Sequence, residues 1–409
     1  MSRVVSPESV GMSAQRLARI KPHMQKYVDQ GQFAGISTLV ARRGSIVHFE
    51  QVGWQDRENQ IPLAPDTIFR IYSMTKPIIC TALMMLHEEG RFQLFDPLAK
   101  YIPAFGNVKV YTESGLVDPI QPILVRDLFT HTSGLTYDFL DSSPVCALYR
   151  EAGLLSNASR TLEQMIDEMA RLPLAYQPNT VWHYSMGIDV LARLIEVLSG
   201  QSLQTFLSER LFGLLGMVDT GFSVAPEKRS RVSKMYGYPD IATHAFNDFI
   251  EAWQAGNNQR IDAVDTTYPV DSEVFARGGH GLFSTAEDYL RFAQMLLNGG
   301  TFEGQRLLSR KTLELMHQNH LPQSMLPYGV TAIPILGYGF GLGSRVMMNV
   351  AEAMIPSSVG EFGWSGAAKT YFWVDPKEEL IGILMSQFMM SFDTVDKELM
   401  SLTYQAIDD

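Results

Sequence analysis

Ser73 and Lys76 stand three residues apart in Ser73-Met74-Thr75-Lys76, and Pro77 follows at once. Proline lacks an N–H and clashes with the preceding turn, so Pro77 is tolerated only near a helix start. The spacing predicts a helix that begins close to Ser73. Residues at i and i+3 share a helix face, which brings the Ser73 hydroxyl within reach of the Lys76 amine. The first N–H groups of a helix have no intrahelical partner, so the Ser73 N–H can hold an oxyanion at the positive end of the helix dipole. This is the equipment of a serine nucleophile with a base built in. A lysine has an unperturbed pKa of about 10.4, and bringing one to about 7 means disfavouring its ammonium by roughly 4–5 kcal/mol. Burial among apolar neighbours acts in that direction, and Ile71, Ile78 and Ile79 are at hand.

Serine and lysine are common, so roughly one such spacing is expected by chance in a chain of this length. Two further stretches give it weight. Tyr184-Ser185 closes a turn-rich loop and opens the amphipathic run MGIDVLARLIEVLSG. A phenol and an amine both titrate near 10 when unperturbed, so Tyr184 and Lys76 can share a proton as a coupled pair. Taken alone, a tyrosine at a helix start is an ordinary structural residue. Trp364-Ser365-Gly366-Ala367 leads into a strand, and its small residues would let a substrate lie against the backbone. Ala367 is the expected second oxyanion donor; the ordinary alternative is a strand edge whose glycine serves packing.

These residues need a frame. Ser13 caps a helix running to about Gln30, and GISTLVARRGSIVHFEQVG follows as two strands about Arg43-Gly44. At the other end TYFWVD and LIGILMSQ flank the turn PKEE, and a helix begins near Thr394. Strands at both ends predict one antiparallel sheet with helices packed on it. The middle reads as helical, through SMTKPIICTALMMLHEEG, TLEQMIDEMARL, MGIDVLARLIEVLSG and LQTFLSERLFGLLG. STAEDYLRFAQMLLNGG opens on a capping box, Ser284 with Glu287, and stops at Gly299. Residues 238–273 mix aromatics with acids at weak periodicity and are expected to be an ordered loop or lid beside a cleft. The expected organisation is a discontinuous α/β sheet domain, residues 1–72 and 286–409, with an inserted mainly helical domain, residues 73–285. That insert carries the candidate nucleophile, and the site lies at the interface.

The chain has 409 residues, 46% of them hydrophobic, and a formal net charge of -11. An acidic chain argues against nucleic acid as a partner and against an anionic membrane surface. No apolar run approaches the ~20 residues that span a bilayer, and the N-terminal stretch has no apolar signal core. The two cysteines, Cys80 and Cys146, do not make a disulfide framework. A soluble cytoplasmic protein is the expectation.

Together the motifs resemble the serine β-lactamase and penicillin-recognising superfamily, and most of all its family VIII carboxylesterases with their class C β-lactamase-like fold. The resemblance runs over nearly the whole chain, through SMTK, LFTHTSGLTY (128–137), Tyr184-Ser185, RGGHGLFSTAEDYLRFAQMLLNGG, YGFGLG and GWSGAAKTYFWVDPKEELIG. It implies Ser73 as nucleophile, Lys76 as base, Tyr184 as their partner in proton transfer and Ala367 at the oxyanion strand. Trp364 and Gly366 fall where lactam-binding members carry the Lys and Gly of K-T-G, and Met186 falls where they carry the Asn of Tyr-x-Asn. Lys369-Thr370 is followed by Tyr371 and is not a displaced copy. Trp364, Gly366, Met186, Tyr137 and His280 are the expected substrate contacts, and an apolar wall at Met186 and Trp364 suits a neutral ester better than a lactam.

The expected reaction is hydrolysis of short-chain carboxylic esters through an acyl-enzyme, with no cofactor and no metal. A β-lactamase, a D-alanyl-D-alanine peptidase, an acyltransferase and a catalytically silent module on the same scaffold are the alternatives. A Ser-His-Asp hydrolase needs G-x-S-x-G; the nearest match, Gly221 to Ala225, lacks its last glycine. His131 is expected to hold a loop and His280 to line the cleft. His87 lacks the second histidine of H-E-x-x-H, and His317 with His320 is expected at the surface near a helix end.

Overall fold

The computed structural model describes residues 4–238, 246–256, 258–261, 268–272, 274–330 and 333–409. Eight strands form one sheet: β1 (Gly35–Arg42), β2 (Ser45–Asp56), β3 (Ile61–Pro62), β4 (Tyr338–Phe340), β5 (Arg345–Met347), β6 (Phe362–Gly366), β7 (Thr370–Asp375) and β8 (Leu380–Ser386). Their order across the sheet is β4-β5-β6-β7-β8-β1-β2-β3, with every neighbouring pair antiparallel. The two chain ends meet at its centre, where β1 pairs with β8 from Ile36 opposite Ser386 to Arg42 opposite Leu380. Both hairpins read from the sequence are present: Arg43-Gly44 joins β1 to β2, and residues 376–379 join β7 to β8. Every residue of β1, β7 and β8 is buried. Successive strand residues face opposite ways, so helices must cover both faces here.

The helices that matter for the site are α1 (Ile20–Asp29), α2 (Thr75–Glu88), α3 (Leu162–Met169), α4 (Gly187–Ser199), α5 (Phe246–Gln254), α6 (Ala286–Leu297) and α7 (Val395–Tyr404). α1 and α7 pack together and onto the sheet, and α6 lies on β7, β8 and β1. α2 is buried along its whole length from Thr75 to Leu86. It packs on α4, which in turn touches α3 and the short helices Val125–Phe129 and Leu203–Leu207. A helix that is apolar nearly all round belongs in a core, and α2 links the helical region to the sheet.

Several expected boundaries shift. Ser73 lies in a 3-10 turn, Tyr72–Met74, and α2 begins two residues later at Thr75, so Pro77 is its third residue. The cap of α6 is Thr285, whose hydroxyl accepts the Asp288 N–H, while Ser284 pairs with Thr220 at 2.8 Å. The stretch expected to be a loop or lid contains α5 and a short strand, Gln259–Arg260, paired with Tyr236–Gly237. Its residues 239–245, 257, 262–267 and 273 lie outside the described residues. His317, expected at the surface near a helix end, is partly exposed, with its ring stacked on Phe362 at 3.5 Å between centroids.

Candidate active site

The turn that carries Ser73 is clamped from two sides. Ile71 N–H donates to the Leu282 carbonyl at 3.0 Å, and the Thr370 hydroxyl donates to the Ile71 carbonyl at 3.1 Å. One residue on, Tyr72 has φ +43°, a left-handed conformation that a bulky residue adopts only when its surroundings impose it. The strain sits next to the candidate nucleophile and turns its hydroxyl toward α2 and the cavity.

Ser73 Oγ accepts from Lys76 Nζ at 2.9 Å and from the Tyr184 O–H at 2.7 Å. Lys76 is 1% exposed. Its amine also donates to the Tyr137 hydroxyl at 3.0 Å and the Gly279 carbonyl at 2.7 Å, and it lies 4.7 Å from the Tyr184 ring centroid. Among the described residues it has no carboxylate partner. Burial, reinforced by Tyr184, Asp189 and Asp138, pushes the Tyr137 phenol well above its ordinary range, so it stays protonated. The arrangement can withdraw a proton from one hydroxyl and return a proton nearby, which is what acyl transfer through serine requires.

The cluster opens into a cavity of about 150 Å³. Tyr72, Phe139, Leu155, Phe246, Tyr268, Val330 and Met390 line it with Ser73, Tyr137, Tyr184, His280, Trp364, Ser365, Gly366 and Ala367. No arginine side chain is among these residues, and the amine of Lys76 reaches the cavity through Ser73. Ala367 follows β6 directly, and its N–H donates to no protein group among the described residues. Trp364 Nε1 and His280 Nδ1 are buried without a hydrogen-bond partner among the described residues. Burial, with the charges of Arg277 and Lys76, holds His280 well below the ordinary imidazole range, so its ring is neutral at pH 7.

The structure thus brings together Ser73, Lys76, Tyr184, Tyr137, His280, Trp364, Gly366 and Ala367. It does not bring Met186 to them: that side chain is fully buried at the start of α4, its N–H donates to the Thr136 carbonyl, and it is not among the cavity residues. The apolar wall is made by Trp364, Phe139, Leu155 and Tyr268 instead. His131 is buried, pairs with Ser185 at 3.2 Å and packs its ring 4.9 Å from that of Tyr184. It does not hydrogen-bond Ser73. Sequence reasoning missed Asp189, Gly279 and the ring walls. Asp189 had a signal, a lone acid inside the apolar run Ile188 to Leu191. Among the described residues no group of three or more His, Cys, Asp or Glu could hold a metal ion, and no helix is long and apolar enough to cross a membrane.

Comparison with known proteins places the fold in a family. The chain is 32% identical over 373 residues to Protein Rv1367c of Mycobacterium tuberculosis, covering 89% of this chain and 88% of that one. It is 27% identical over 376 residues to Esterase EstB of Burkholderia gladioli, covering 91% and 90%. A solved structure described as "EstCE1, a hydrolase with promiscuous acyltransferase activity" superposes with a TM-score of 0.79 at 26% identity, covering 95% of this chain and 99% of that one. The family model described as Beta-lactamase matches residues 20–405, which takes in every strand of the sheet and every residue around Ser73. The chain belongs to the beta-lactamase family of penicillin-binding-like serine hydrolases.

Proposed function

We propose that the protein is a carboxylesterase that cleaves short-chain, neutral esters through an acyl-enzyme on Ser73. The observation that carries this reading is the pair of hydrogen bonds at Ser73 Oγ, from Lys76 Nζ and the Tyr184 O–H, at the mouth of a ring-walled cavity. Lys76, as the uncharged amine, takes the Ser73 proton as Oγ bonds to the ester carbonyl carbon. The carbonyl electrons move to oxygen, which the N–H groups of Ser73 and Ala367 receive. Collapse expels the alkoxide, which takes a proton from Tyr184, and Lys76 returns its proton to the phenolate. Water then attacks the acyl-enzyme by the same relay. Trp364 in place of a lysine leaves β6 without a cation for a lactam carboxylate, which favours a neutral substrate. EstB by its name supports ester hydrolysis, and EstCE1 by its description supports hydrolysis.

Transfer of the acyl group to an alcohol is the second reading, and the apolar walls favour it: they bring a carbon-rich acceptor to the acyl-enzyme more readily than water. Product analysis with added butanol separates the two outcomes. The first reading is tested by Ser73→Ala assayed on p-nitrophenyl butyrate. Its kcat falls by at least about a thousandfold with the fold intact, since the bond-forming atom is gone. A kcat within about tenfold of wild type rejects the assignment.

A further inference from the structure

We infer that Asp189 is a positioning residue that anchors Gly279, whose carbonyl in turn holds the Lys76 amine between Ser73 and Tyr137. This rests on the role proposed above for Lys76.

Asp189 is the third residue of α4 and is fully buried. Its Oδ1 accepts the Gly279 N–H at 3.0 Å. The carbonyl of the same residue accepts from Lys76 Nζ at 2.7 Å. Gly279 is therefore held at its N–H by the carboxyl and reads out that position through its carbonyl to the amine. The space around it enforces the arrangement. A Cβ on Gly279 would lie 2.5 Å from Asp189 Oδ2 and 2.7 Å from the Tyr137 hydroxyl, the same hydroxyl that accepts from Lys76. Carboxyl and phenol both border the glycine, and each bears on one of the amine's three hydrogen bonds or on the residue that makes it.

Burying this carboxyl is unfavourable. Burial raises its pKa, an effect that the Gly279 N–H and the charges of Lys76 and Arg277 oppose, and Oδ2 has no partner among the described residues. A leucine of similar volume would pack in the apolar run of α4 without that cost. The acid earns its place by orienting Gly279 at the base. Orientation matters because a proton moves efficiently only over a hydrogen-bond distance, and a displacement of ~1 Å costs about a hundredfold in rate.

The test compares Asp189→Leu, Asp189→Asn and Gly279→Ala in steady-state hydrolysis of p-nitrophenyl butyrate, with Ser73→Ala alongside. Asp189→Leu removes the acceptor and lowers kcat by about ten- to a hundredfold while KM stays within about threefold. Asp189→Asn keeps an oxygen for the Gly279 N–H and restores kcat to within about threefold of wild type. Gly279→Ala, whose Cβ would press on Asp189 Oδ2 and the Tyr137 hydroxyl, lowers kcat as Asp189→Leu does, and it reads the placement of the glycine directly if the leucine variant does not fold. The inference is overturned by wild-type kcat in Gly279→Ala or Asp189→Leu, by an Asn variant as slow as the Leu one, or by a loss confined to KM. An active Ser73→Ala would instead overturn the proposed function itself, and an inactive one beside a fully active Asp189→Leu would overturn only the inference.

Discussion

Two groups that can move a proton touch the Ser73 hydroxyl, and their surroundings make them unequal. Lys76 is sealed in and engaged three times, by Ser73, Tyr137 and Gly279. Tyr184 lines the cavity, with its ring 5.9 Å from Trp364, so its O–H stands between the nucleophile and incoming substrate. In the proposed mechanism the amine receives a proton and the phenol hands one to the leaving group. Tyr184→Phe keeps the ring and removes the O–H. It is expected to lower kcat by about 10²–10⁴-fold, the usual reach of general acid–base catalysis. The loss should be larger on butyl butyrate than on p-nitrophenyl butyrate, because an alkoxide needs a proton to depart and p-nitrophenolate does not. Equal losses on the two esters would remove the leaving-group role from Tyr184. That Ser73, Lys76 and Tyr184 meet was legible because each sits in a short motif whose spacing has a geometric meaning. Met186 was misplaced because motif position says nothing of which way a side chain turns, and at the start of α4 it turns into the core.

At the scale of elements, the site depends on how closely β6 approaches the nucleophile turn. Gly366 ends β6, and a Cβ there would lie 2.4 Å from the Ile71 carbonyl oxygen and 2.3 Å from the Thr370 hydroxyl that donates to it. Any side chain would drive the strand from the turn and separate Ala367 from Ser73. Gly366→Ala is expected to destabilise the fold by about 1–3 kcal/mol through overpacking, seen as a lower urea midpoint, and to lower kcat because the two oxyanion donors move apart. Wild-type kcat in a folded, destabilised Gly366→Ala would show that the distance between strand and turn does not matter to the reaction. The sequence allowed either packing or substrate contact for this glycine; the structure shows the packing and places the residue in the cavity wall. The helix α5 shows a different failure. Phe246, Phe249, Ile250 and Trp253 follow a helical i, i+3, i+4, i+7 pattern. Over residues 238–273 as a whole that signal is diluted by flanks without periodicity. Phe246 closes part of the cavity, so the expectation of a structure beside the cleft held while its type did not.

At the scale of the molecule, sequence-distant ends are tied into one sheet, and this is why hairpins read locally at 35–56 and 370–386 gave the architecture. Alternation and turn residues fix each hairpin, and the β-rich character of both ends leaves few ways to join them. The closure is reinforced by Arg42, whose buried guanidinium donates to the Val10 and Gly11 carbonyls and to Asp409 at 2.6 Å. Within this sheet His48 on β2 is buried and bonded to the Thr38 hydroxyl at 2.7 Å. Burial pushes its pKa down to about 4, Glu50 opposing and Lys21 adding to the shift. In the unfolded chain the same ring titrates near 6.5. Between those values the unfolded chain holds a proton that the folded one does not, so stability falls as pH falls from about 6.5 to about 4. Asp138, which burial pushes up to about 7, works with the opposite sign: its contribution is complete below about pH 4 and is lost as pH rises through 7. A whole-protein acid profile therefore mixes both, and a single-site comparison is needed. His48→Leu strands the Thr38 hydroxyl and is expected to be less stable than wild type at pH 7. As pH is lowered to 4 the gap should close by up to about 3 kcal/mol, because the leucine chain has no proton to gain at that site. Urea unfolding of both proteins at pH 7, 5.5 and 4 measures this directly, and a gap that stays constant would mean that His48 takes up its proton inside the folded sheet as readily as outside it.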